Sequence, residues 1–83
     1  MRILYFAWLR SKVGFGEEVV TPPDSVQDVA TLADWLVSRG AGHAAAFADR
    51  KLIRVAVNQD YVPWSHPVRQ GDEIAFFPPV TGG

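Results

Sequence analysis

The stretch that decides the fold is Gly71-Asp72-Glu73-Ile74-Ala75-Phe76-Phe77-Pro78-Pro79, followed by Val80-Thr81-Gly82-Gly83. Gly71 and Asp72 suit a turn, and residues 72–77 read as a strand. Pro78-Pro79 stops it, because proline donates nothing to a sheet ladder. Side-chain alternation sends Ile74 and Phe76 to one face and Phe77 to the other. Such a strand needs cover on one face, and it leaves an aromatic on the second to be explained.

Working back toward the start, Ile3 to Leu9 is rich in β-formers and apolar on both alternating faces. This pattern marks a central strand or one covered twice. It leaves Phe6 with Leu4 and Trp8 on the face away from Ile3 and Tyr5. Gly14-Phe15-Gly16 supplies a turn and residues 17–21 a second strand, so the two make a hairpin with a long loop. Pro22-Pro23 ends that strand. A helix over 26–37 follows, with Ser25 as cap and Asp28 favourable to the dipole. Val26, Val29, Ala30, Ala33, Leu36 and Val37 form its apolar stripe, and Gly40 and Gly42 end it in the left-handed conformation. A short helical turn fits 43–48. Residues 52–57 are a third strand, 58–60 a turn and Tyr61-Val62 a return strand.

The order is therefore ββαβββ, an α+β chain with one long helix crossing one mixed sheet. A hairpin, a right-handed crossover and a last strand beside the first make a β-grasp, the shape of ubiquitin. The 83 residues form one domain, with 78–83 as an extended tail. A domain of this size buries roughly 60% of its unfolded surface, so it has little stability to spare.

Composition excludes several classes of function. Net charge is −1 and neither sign forms a block, which argues against nucleic acid or an anionic membrane. There is no cysteine, hence no disulfide framework or thiolate metal site. No signal-peptide pattern and no spanning apolar run is present, and a cytoplasmic location is expected. His43 and His66 have no spaced co-ligands and read as loop histidines without a role. Gly14-x-Gly16 lacks the rest of a phosphate cradle. Arg50, Lys51 and Arg54 read as a solvated basic cluster where a strand begins. Trp35 fits the edge of the core, and Trp64 fits either packing or contact. Phe6, Tyr61 and Phe77 fit an open apolar face, which a monomer seldom leaves uncovered.

The ending points to chemistry outside the chain. Prolines hold the exit extended, no charge precedes the terminus, and the six residues from Pro78 span about 20 Å. Glycine alone passes a channel too narrow for a β-carbon. The Gly83 carboxylate has a free value near about 3.5, so it is ionised at neutral pH and a poor electrophile. Activation, for instance as an acyl-adenylate, has to come from a partner.

"ILYFAWLRSKVG" (3–14), "VNQDYV" (57–62) and "HPVRQGDEIAFFPPVTGG" (66–83) together resemble the small subunits of molybdopterin synthase, the MoaD-type sulfur carriers of molybdenum-cofactor synthesis. The resemblance covers nearly the whole chain and is most specific over 71–83. It implies that an E1-like adenylyltransferase (MoeB type) adenylates Gly83 with ATP and Mg, and that a thiocarboxylate follows. It implies that the tail, Pro78, Pro79, Val80, Thr81 and Gly82, enters the large subunit (MoaE type). There the sulfur passes to cyclic pyranopterin monophosphate, and two rounds build the dithiolene. The resemblance further implies that the carrier is a non-catalytic subunit that binds no cofactor, and that the large subunit holds the catalytic pocket. The family's contact patch falls on Phe6, Tyr61 and Phe77, with Tyr61 where an aliphatic residue is familiar. A thiamine-pathway carrier, a ubiquitin-like protein modifier and a β-grasp interaction module stand as alternatives.

Overall fold

The computed structural model describes residues 1–79. Its elements are β1 (Arg2–Tyr5), α1 (Trp8–Val13), β2 (Glu17–Val19), α2 (Val29–Val37), α3 (Ala41–Ala46), a 3-10 turn (Arg50–Leu52), β3 (Arg54–Val57), β4 (Asp60–Val62) and β5 (Glu73–Phe77). The sheet runs β2-β1-β5-β3-β4. β5 is parallel to β1, with Ile3 opposite Ile74 and Tyr5 opposite Phe76, and antiparallel to β3. The β-grasp expected from the sequence is therefore present, with the last strand seated beside the first.

Two corrections concern the first hairpin. The strand stops at Tyr5, and residues 8–13 are helical rather than strand and loop. The break is at Ala7, whose φ of 56° and ψ of −131° suit glycine better than alanine. Leu9 N–H then donates to the Phe6 carbonyl at 3.2 Å, closing a turn. Trp8, Leu9 and Val13 lie at helical spacing; Leu9 is buried and the other two pack against the core. Gly14, at φ 105°, caps the helix with its N–H on the Arg10 carbonyl. The order is thus βαβααβββ, apart from the 3-10 turn, and not ββαβββ.

The long helix starts three residues later than the apolar stripe suggests. Asp28, not Ser25, is its N-cap: the carboxylate accepts from Thr31 N–H at 2.8 Å, and the Thr31 hydroxyl accepts from Asp28 N–H at 3.1 Å. The Thr31 N–H, and then the Thr31 hydroxyl, which also donates to Asp28 Oδ1 at 2.8 Å, hold the Asp28 carboxyl below its usual range. Residues 26–28 are kept out of the helix by the loop that precedes β5. Val29 and Ala30 N–H donate to the His66 and Trp64 carbonyls, and Val68 N–H donates to the Gln27 carbonyl. The far end also differs. Ser38 is the C-cap in a right-handed conformation, Gly40 is extended, and Gly42 lies inside α3. A Cβ on Gly42 would stand 2.7 Å from the Lys12 carbonyl oxygen, so Gly42 sets how closely α3 approaches α1.

The core lies between the helices and one face of the sheet. Ile3, Tyr5, Leu9, Val29, Leu32, Leu36, Ile53, Ile74 and Phe76 are fully buried. Each large side chain so buried contributes about 1.5–3 kcal/mol. Trp64 resolves as packing: its ring stacks 6.0 Å from Phe76. Trp35 packs at the core edge, as expected, beneath the Arg39 guanidinium. β3 and β4 meet through Asn58 and Gln59, both at positive φ, the turn whose twist suits a two-residue hairpin. The Asn58 side chain accepts from Glu73 N–H and donates to Asp72, fixing this hairpin to the start of β5.

Candidate functional site: the open sheet face

With helices on one face, alternation and register decide what the other presents. Leu4, Ala75, Ala56 and Tyr61 stand in one row across the sheet, and Phe77 faces Arg54 in the next. Phe6 joins this second row just past the end of β1, its N–H donating to the Phe76 carbonyl at 3.1 Å. Phe6 is 48% exposed and Tyr61 79% exposed, while Phe77 is half-buried. The Tyr61 and Phe77 rings lie 5.4 Å apart. Phe6, Tyr61, Ala75, Phe77 and Pro78 line one shallow depression of about 410 Å³. The three aromatics singled out in the sequence are thus brought together.

Phe6 reaches this face by a different route from the one expected. It is not a mid-strand residue beside Trp8; the reversal at Ala7 turns Phe6 outward while Trp8 packs inward. Pro78 and Pro79 are half-buried where the chain leaves the sheet beside the patch. Val80, Thr81, Gly82 and Gly83 lie outside the described residues.

Charge on this face is uneven. At the β2-β1 end Arg2 pairs with Glu17 at 2.8 Å and Glu73 at 3.3 Å. Such exposed pairs contribute little to stability, and they set one cation between two carboxylates, so no positive charge is left over at that end. The cluster of Arg50, Lys51 and Arg54 is split by the fold. Arg50 pairs with Asp34 on α2 and lies over the Trp64 ring, whereas Arg54 stands on the open face beside Phe77.

His43 is not the loop histidine expected. It sits on α3, only 9% exposed, with Nε2 donating to Glu18 Oε2 at 2.8 Å. The Tyr5 hydroxyl donates to the same oxygen at 2.7 Å. Burial, then the hydrogen bond to Glu18, pushes the Tyr5 phenol far above its ordinary value. This group lies beneath the sheet's covered side and ties β1, β2 and α3 together. Spacing could not reveal it, since Glu18 and His43 are 25 residues apart. Among the described residues no three His, Cys, Asp or Glu side chains converge as metal ligands. No helix there is long and apolar enough to cross a membrane.

Sheet order, crossing helix and aromatic open face define a ubiquitin-like β-grasp protein. The sequence profile of the ThiS family matches residues 3–83, and the chain belongs to that family. The molybdopterin synthase sulfur carrier subunit of Escherichia coli (strain K12) is 40% identical over 83 residues, covering 100% of this chain and 99% of that protein. Among solved structures, a putative molybdopterin converting factor subunit 1 from Pyrococcus furiosus superposes with a TM-score of 0.78 at 29% identity, covering 95% of each chain. A chain from the complex of subunits 1 and 2 of the molybdopterin-converting factor of Helicobacter pylori 26695 superposes with a TM-score of 0.65, covering 99% of this chain and 96% of that one. At 19% identity that likeness concerns the fold.

Proposed function

We propose that this chain is the sulfur-carrier subunit of a molybdopterin synthase, with Gly83 as its reactive residue. The observation that supports this most directly is the position of the tail's root: Pro78 forms part of the same depression as Phe6, Tyr61 and Phe77. A partner that covers the aromatic patch therefore also meets the start of the tail. Full-length likeness to a molybdopterin synthase sulfur carrier subunit and the Gly82-Gly83 ending agree with that reading.

In this mechanism an E1-like enzyme binds the patch and holds ATP with Mg. A carboxylate oxygen of Gly83 attacks the α-phosphorus, pyrophosphate leaves, and the acyl-adenylate forms. A sulfur nucleophile then displaces AMP to give the thiocarboxylate. The large subunit binds the same face and accepts the tail; the thiocarboxylate sulfur bonds to a carbon of cyclic pyranopterin monophosphate, and water then cleaves the acyl–sulfur bond and returns the Gly83 carboxylate. The carrier supplies no acid, base or cofactor. Its contributions are an unhindered electrophile, a tail without charges, and a docking face at its root.

The test has two parts. Intact mass of the protein from its native host should show one oxygen-for-sulfur exchange at the C-terminus; lysine conjugates would indicate a modifier, and neither change an interaction module. Adding one residue after Gly83 moves the carboxylate by about 3.5 Å, beyond the tolerance of a positioned site. That variant should fold normally and make no molybdopterin from precursor and large subunit. Full activity, with trimming excluded by mass, would sink the proposal.

A further inference from the structure

Arg54 separates from its sequence neighbours and stands opposite Phe77 on the open face. With Tyr61, Val62, Phe77 and Pro79 it lines a second hollow, of about 310 Å³, contiguous with the aromatic patch. Its guanidinium is already oriented: Nη1 donates to the carbonyls of Lys51 at 3.1 Å and Ile53 at 3.2 Å. Those two bonds use the Nη1 donors and leave the edge formed by Nε and Nη2. That edge is a fork whose geometry matches the two oxygens of a carboxylate. Among the described residues no carboxylate lies within ion-pair distance of Arg54, whereas the face's other strand cation, Arg2, has two.

We propose that Arg54 is a partner-recognition residue: it receives an aspartate or glutamate side chain of the large subunit, bidentately, at the rim of the aromatic patch. The inference rests on the proposed function for the identity of the partner. Its physical basis is charge complementarity. An apolar contact centred on Phe77 and Tyr61 excludes water from its edge, and a positioned cation there gains strength and rejects surfaces that lack an acid. Lysine would be a poor substitute, because one ammonium cannot span both oxygens as a fork.

Titration calorimetry of the thiocarboxylated carrier with the large subunit, at low and high salt, tests this. Wild-type affinity should fall with salt. Arg54→Glu should weaken binding about 30-fold or more, and Arg54→Lys should recover part of the loss. Reversing one acidic residue of the large subunit to lysine should restore binding to Arg54→Glu. Melting temperatures should match, since the side chain is exposed; if Arg54→Glu folds poorly, Arg54→Gln removes the charge at similar length. If the wild type binds and makes molybdopterin while Arg54→Glu and Arg54→Gln bind equally well, the inference is wrong and the proposed function stands. If Arg54→Glu instead alters only self-association of the isolated carrier, the occupant is a second copy and the inference is wrong. If the wild type does not bind the large subunit, both fail.

Discussion

His43 Nε2 and Glu18 Oε2 lie 2.8 Å apart, with both side chains nearly nine-tenths covered. A covered carboxylate needs its donors, and Glu18 Oε2 receives two, from His43 and Tyr5. Removing one leaves part of a desolvated acceptor unmatched, at a cost of about 1–3 kcal/mol. His43→Ala should lower stability by that amount in urea unfolding. A loss within experimental error would show that Glu18 turns to water or to Arg39 instead.

The Tyr5 phenol predicts behaviour in alkali. Its folded value is raised, chiefly by burial, so the neutral form is favoured in the native state. Its contribution is complete below the free phenol value of about 10 and declines as pH rises beyond that. Stability measured from about pH 10 upward should fall more steeply in the wild type than in Tyr5→Phe. Parallel slopes would exclude the phenol as the cause.

Ala7 carries strain that glycine would relieve. A non-glycine residue in a sparsely populated conformation costs about 1–3 kcal/mol, while glycine's extra freedom when unfolded costs about 0.5–1. Ala7→Gly should therefore stabilise by about 1 kcal/mol, and Ala7→Val should destabilise. Thermal melting of both variants decides the sign.

Gly42 predicts the reverse of its helix propensity. Alanine within a helix usually gains up to about 1 kcal/mol over glycine. Here the added Cβ meets backbone, the Lys12 and Val13 carbonyl oxygens at 2.7 and 3.2 Å. Gly42→Ala should destabilise by about 1–3 kcal/mol as α3 is pushed off α1, read by denaturant midpoint.

Phe76 and Phe77 are neighbours in sequence with separate duties. Phe76 is fully buried, 4.9 Å from the Phe47 ring, and Phe76→Ala should cost about 3–5 kcal/mol. Phe77 is half-buried against Tyr61, so Phe77→Ala should cost about 1 kcal/mol while weakening large-subunit binding about tenfold. Unfolding and calorimetry on the same two variants separate the roles; equal stability losses would place Phe77 in the core.

What the sequence determined was local and periodic. Alternation in 72–77 separated Phe76 from Phe77, the double proline ended the strand, and residues 57–62 announced a hairpin, because such signals depend only on neighbours in the chain. Tertiary structure decided the rest. α2 begins at Val29 because carbonyls of Trp64 and His66 receive its first amides. Trp8–Val13 is helical because the reversal at Ala7 turns that segment onto α3 and the core. Glu18 acquired His43 because α3 packs beside β2, and Arg54 lost Arg50 because Arg50 turns to Asp34 on α2 while Arg54 lies in β3 opposite Phe77. Pairings between residues far apart in the chain are fixed by which faces are covered, and no spacing along the sequence encodes them.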